Sequence, residues 1–299
     1  MKQRKLWASV MMLASLLLLL VGCTTKPTTK HNGITVVSSL NFYGEVAKAV
    51  LGDHGTVTSI ITNPNTDPHD FEPTTKTART VAAADVIIAN GVGYDAWMQK
   101  LVNANGNSKV TDLRVGEDLM GKKNGANEHL WYNQATMPKL ARHLAKVYAR
   151  RDPKHKADYQ RNAAKYIKSL HPITTKLARL KQNSRQQHVA VSEPVFNYAL
   201  AELDYKISDQ HFARAIEEGT DPSPSDIRKL QTAITQHQIA FFVQNSQSTD
   251  KVIANLVNLA HKHNVPVIKV TETMPHGQNY RQWMLSQYEQ LAKIQQAKS

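Results

Sequence analysis

The period of the hydrophobic pattern changes repeatedly along this chain. Between residues 34 and about 115, short apolar runs of strand character alternate with segments of period 3.6. Residues 34–38 (Ile-Thr-Val-Val-Ser) read as a buried strand and 42–51 as a helix stopped by Gly52. A strand follows at 56–61, a helix at 75–84, and a strand at 86–89 closed by Asn90-Gly91. A helix at 94–102 and a fourth strand at 109–113 complete the run. This βαβα order implies a mostly parallel sheet with helices on both faces.

The middle of the chain keeps helical spacing without strands. Leu140, Leu144, Val147 and Tyr148 form one stripe; Tyr159, Ala163, Tyr166, Ile167 and Leu170 form the next. Asp152-Pro153 breaks the pattern and Pro172 is placed to kink it. Two helices are expected, the second long and lying between lobes. Alternation then resumes with strands at 188–192, 205–208, 239–243 and 265–270, separated by helices at 195–203, 251–261 and 280–294. A further helix opens at Ser223-Pro224-Ser225-Asp226, with Ser as N-cap and Pro at the first position. That role accounts for Asp226 without an active site.

The first residues stand apart from this globular pattern. Lys2, Arg4 and Lys5 precede an apolar run of about 16 residues, short for a membrane span and suited to an export signal over residues 1–22. The run ends in Leu20-Val21-Gly22-Cys23, which resembles a bacterial lipobox, so Cys23 is the expected lipidation site. Residues 23–33 are a polar tether. Cys23 is the only cysteine, which excludes an internal disulfide framework and any multi-thiolate metal site.

Composition adds two constraints. At 299 residues and 41% hydrophobic, the chain is long enough to bury a core and to divide into two lobes. Charge is uneven: beyond residue 22 there are 34 Lys and Arg against 24 Asp and Glu, and residues 137–188 hold 14 of the cations and only two acids, Asp152 and Asp158. Aromatic residues are sparse there, and export makes nucleic acid a poor partner. A solvated helical face toward an anionic envelope accounts for the charge.

Candidate chemistry follows from the expected sheets, because ligands of parallel α/β sheets bind beyond the carboxyl ends of strands. The strand at 56–61 runs into Asn63-Pro-Asn-Thr-Asp-Pro-His69-Asp-Phe-Glu72-Pro, and that at 188–192 ends on Glu193. The strand at 265–270 ends on Thr271-Glu272-Thr273, and His129 lies in a loop ahead of the basic helix. His69 and His129 from one lobe, with Glu193 and Glu272 from the other, make a donor set for a first-row divalent metal. Asp67, Glu72 and His276 are substitutes for Glu272. Asn245 and Gln247 are candidate donors behind the ligands, and His261 with His263 fits a helix C-terminus, where imidazolium is favoured. No HExxH, GxGxxG, P-loop or GxSxG pattern occurs.

Four segments carry a family resemblance. Asp67-Pro-His69-Asp-Phe-Glu-Pro, His129-Leu-Trp131, Ser192-Glu193-Pro-Val-Phe-Asn-Tyr198 and Thr271-Glu272-Thr are similar, in order, to the ligand segments of zinc/manganese ABC-transporter substrate-binding lipoproteins. The resemblance implies an α/β fold of two lobes (34–150 and 188–299) with mostly parallel sheets, joined by one long helix (151–187), and a metal at the lobe interface. It implies His69, His129, Glu193 and Glu272 as ligands, and one manganese or zinc ion as transported cargo. It also implies a monomer, lipid-anchored outside the cell membrane, that delivers to ABC permease subunits with a cytoplasmic ATPase, and no enzyme activity. Many zinc members carry His at the Glu193 position and Asp at the Glu272 position, and often a His-rich loop before the second ligand; residues 106–128 here contain no His. Ligand hardness points to manganese as the transported ion, with zinc bound tightly in vitro. A surface adhesin and a metallohydrolase using the same site are the alternatives.

Overall fold

A computed structural model describes residues 33–184 and 187–297. The export signal, Cys23 and all of the tether but Gly33 lie outside the described residues. Strands β1 (Ile34–Leu40), β2 (Gly55–Ile61), β3 (Val86–Ala89) and β4 (Thr111–Arg114) form an all-parallel sheet in the order β2-β1-β3-β4. Helices α1 (Asn41–Leu51), α2 (Thr75–Ala82) and α3 (Ala96–Asn105) make its crossovers. Strands β5 (His188–Val191), β6 (Lys206–Ile207), β7 (Phe242–Asn245) and β8 (Val267–Val270) repeat the arrangement as β6-β5-β7-β8, again all parallel. The continuous apolar character of β1 and β3 follows from burial on both faces.

Between the sheets run α4 (Thr136–Arg151), α5 (Lys156–Ser169) and α6 (His171–Gln182). The single long second helix expected from the pattern is two, with Leu170 as the turn between them. Pro172 sits at the start of α6, where its missing N–H needs no intrahelical acceptor, and it disfavours helical continuity through the residues before it. In the second lobe, α7 (Asn197–Glu202), α8 (Gln210–Glu217), α9 (Pro224–Thr235), α10 (Lys251–Lys262) and α11 (Tyr280–Ala297) surround the sheet. Helix α8 has no counterpart among the expected elements. At the start of α9, Ser223 Oγ accepts from the Asp226 N–H at 3.1 Å, as its N-cap role requires. Strand β7 begins at Phe242, three residues later than expected.

One apolar core runs through both lobes, and a smaller one fills the outer layer of the second, around Phe212, Ile234, Phe242 and Leu256. Helix α11 joins the lobes from the second side. The Trp283 ring lies 5.6 Å from Phe42 of α1, and the Tyr280 hydroxyl donates to the Trp131 carbonyl at 2.5 Å. Among the described residues no helix is long and apolar enough to cross a membrane.

Candidate metal centre

Both sheets reverse direction of growth beside their first strand, β1/β3 in one lobe and β5/β7 in the other, and the loops beyond those carboxyl ends face each other. A cavity of about 670 Å³ lies there, lined by His69, Glu193, Glu217, Asn245 and Glu272 among others.

His129 is the anchor of the site and is fully buried. The Asn90 side chain at the end of β3 donates to the Glu128 carbonyl at 3.0 Å and accepts from the Tyr43 hydroxyl at 2.7 Å, which fixes the loop carrying His129. Asn127 sets the ring. Its Oδ1 accepts the His129 backbone N–H at 2.9 Å, so that atom is oxygen and not nitrogen. The same Oδ1 lies 2.9 Å from His129 Nδ1, so Nδ1 carries a hydrogen and Nε2 is left to face the cavity. The Asn127 amide donates across to the Pro194 carbonyl of the other lobe at 2.7 Å.

Nε2 of His129 lies 3.5 Å from Glu217 Oε1 and 3.7 Å from Glu272 Oε1. Nε2 of His69 lies 3.8 Å from carboxylate oxygens of Glu128, Glu217 and Glu272. His129 Nε2 and Glu272 Oε1 are both buried and neither makes a hydrogen bond. Donors bound to one tetrahedral ion at about 2.0–2.1 Å stand roughly 3.3 Å apart, only a few tenths of an ångström less than these spacings. The set can therefore close on a divalent cation with small side-chain movements.

Three of the four expected residues, His69, His129 and Glu272, thus meet. Glu193 borders the same cavity, but its carboxylate is engaged by the Asn245 amide at 2.6 Å and does not join the groups of close donors. Glu217 stands among those close donors instead. It ends α8, one residue before Glu218 and two before Gly219, and the only sequence signal was that acidic pair at a helix C-terminus, where the dipole opposes negative charge. Asn245 and Gln247 do act behind the carboxylates: Gln247 Oε1 accepts the Glu272 N–H at 2.6 Å, and its amide donates to Thr273 Oγ1 at 2.7 Å and to the Pro64 carbonyl. Asp67 caps the turn of His69, accepting its N–H at 2.8 Å. Glu72, His261 and His276 are exposed, and His263 is half-buried.

The electrostatics fit a cation. Burial lowers the His129 pKa, but Glu272 and Glu217 outweigh it and raise the value to about 9. Burial raises Glu217 to about 8 against the pull of His129, and burial also raises Glu193. Glu272 is raised by burial but lowered more by its interaction with the neighbouring imidazoles, His129 above all, leaving it below the ordinary carboxylate range. Both shifts favour the protonated forms of His129 and Glu217 near neutral pH, so a cation binding between them would displace protons. Affinity is expected to rise as pH increases from 6 to 8, with proton release on binding. Calorimetry in buffers of different ionisation enthalpy measures that release, and pH-independent affinity without proton release would contradict the assigned donors.

Proteins similar to this chain carry names that describe metal binding. The chain is 28% identical over 256 residues to the metal ABC transporter substrate-binding lipoprotein SloC of Streptococcus mutans, covering 80% of this chain and 81% of SloC. It is 22% identical over 293 residues to the zinc-binding lipoprotein AdcA of Streptococcus pneumoniae, covering 90% of this chain but spanning only 57% of AdcA. A Mn-bound periplasmic metal-binding protein (S38A mutant) from Candidatus Liberibacter asiaticus shares the fold, with a TM-score of 0.71 at 18% identity over 87% of this chain and 99% of that one. Because residues 36–294 match the family described as zinc-uptake complex component A, periplasmic (ZnuA), the chain belongs to that family.

Proposed function

We propose that the protein is an extracytoplasmic substrate-binding lipoprotein that captures one divalent transition-metal ion at the lobe interface and delivers it to an ABC permease driven by a cytoplasmic ATPase. The observation that carries this reading is the meeting of two imidazoles with Glu272 and Glu217 at separations of 3.5–3.8 Å around buried, unpaired donor atoms. His69, His129 and Glu272 hold the ion, Glu217 closes the shell, and Glu193 is the reserve carboxylate held by Asn245. The role is capture and release without catalysis.

Two carboxylates that can each chelate, beside two imidazoles, offer up to six donor atoms and suit manganese as the delivered ion. Zinc binds the same ligands more tightly by the Irving–Williams order, so purified protein is expected to carry zinc. Uptake of each metal by cells with and without the protein tests the reading. Loss of zinc accumulation alone, with manganese untouched, would reverse the choice of ion. Loss of neither would remove the transport role.

Anchoring is tested separately. Two acyl chains make a stable membrane anchor where one is marginal, so Cys23→Ala is expected to move the protein from the membrane fraction to the soluble one. A variant that stays membrane-bound and uncleaved would exclude lipidation at Cys23.

A further inference from the structure

Two histidines remote from the lobe interface stack face to face. The His54 and His155 rings have centroids 3.9 Å apart and planes 18° from parallel. His54 immediately precedes β2, and its carbonyl accepts the Ile34 N–H at 3.1 Å, which places it at the amino end of the first sheet. His69, by contrast, follows the carboxyl end of β2. The seven residues of that strand span about 23 Å, so the two places are separate.

His155 closes the turn Pro153–His155 between α4 and α5. Its Nδ1 lies 2.5 Å from Asp152 Oδ2, which also accepts the Tyr159 hydroxyl at 2.8 Å. His54 Nε2 lies 2.9 Å from Asp158 Oδ2. One donor atom from each of His54, Asp152 and His155 falls within 4.8 Å of the other two. All are partly accessible, with side-chain exposures of 24–43%.

The sequence makes this meeting informative. Asp152 and Asp158 are the only acids in residues 137–188, a stretch holding 14 Lys and Arg, and both are spent on imidazoles, although Asp158 also pairs with Arg161. Ion pairing alone asks only for charge, which the permanent cations of this stretch supply. What histidine adds is a nitrogen lone pair.

We infer that His54, Asp152 and His155 form a second transition-metal site, for zinc, with Asp158 orienting the His54 ring as carboxylates orient metal-bound imidazoles elsewhere. Two nitrogens and one oxygen leave a fourth tetrahedral position for water. The ion displaces the hydrogen between His155 and Asp152, the two donors moving apart from 2.5 Å to roughly 3.3 Å, and ties the α1–β2 loop to the α4–α5 turn. This site is independent of the transport reading.

Zinc stoichiometry of the full chain at saturating micromolar zinc tests it, with cobalt absorption spectra as a second readout. Wild-type protein is expected to bind two ions. His54→Gln/His155→Gln protein keeps one, and so does His69→Ala/Glu272→Ala protein, with the residual cobalt spectrum differing between the two variants. The Gln substitutions are on half-exposed positions, and circular dichroism checks that they leave the fold intact. Binding of a single ion by wild type, or two ions retained after His54→Gln/His155→Gln, would overturn the second site. Asp152→Asn alone gives an independent arm: unchanged zinc stoichiometry and cobalt spectrum there would also overturn it.

Discussion

Replacing His129 with Ala is expected to weaken manganese and zinc binding by more than the 10–100-fold typical of residues that merely support metal ligands. The imidazole is fully buried, and its Nε2 lies closer to Glu217 and Glu272 than the Nε2 of His69 does. Asn127→Ala leaves every ligand in place but frees the ring to rotate and exchange tautomers, so its loss is expected to fall within about 10–100-fold. Glu217→Gln separates the structure from the sequence pattern. Loss of more than about tenfold assigns α8 a ligand, whereas unchanged binding together with a large loss in Glu193→Gln would return the role to Glu193. Titration calorimetry reads all four variants. Wild-type affinity in the His129 variant would remove the interface as the metal centre.

The contrast between Glu193 and Glu217 marks the limit of what the chain reveals before it folds. The strands are legible because burial on both faces leaves unbroken apolar runs such as Val86–Ala89, and because turn residues such as Asn90-Gly91 end them. His69, Glu193 and Glu272 are then picked out by a local rule, since each follows the carboxyl end of a strand. Glu217 obeys no local rule. It reaches the centre only because α8 packs against α9 and the Pro194–Phe196 turn, with Phe212 in the outer core, and α8 is short enough that its pattern is easily taken for loop. The division of the linking helix at Leu170 is similar: Pro172 announces a disturbance, but whether a proline kinks or separates depends on tertiary packing. His54 and His155, a hundred residues apart, carry no shared motif at all. Their meeting depends on the α4–α5 turn folding back onto the α1–β2 loop.

Trp131→Ala is expected to give the largest loss of stability, about 3–5 kcal/mol, the range for a fully buried aromatic side chain. At roughly 2–4 °C per kcal/mol for a domain near this size, melting falls by on the order of 10 °C. The ring packs 5.0 Å from Phe42 and 5.2 Å from both Tyr94 and His129, while the residue's carbonyl receives the Tyr280 hydroxyl of α11. Its removal therefore opens space between the lobes and beneath the His129 ring together. Trp131→Phe should cost less than the Ala change, because it keeps much of the volume and removes an indole N–H that makes no hydrogen bond. Metal supplies the discriminating measurement. An ion at a hundredfold excess over its dissociation constant adds about 2.7 kcal/mol to any protein that binds it only when folded. If Trp131 supports His129, the Ala variant needs a higher metal concentration than wild type to gain the same increment. A destabilised variant whose metal response matches wild type would confine Trp131 to the core and separate the packing of the lobes from the geometry of the site.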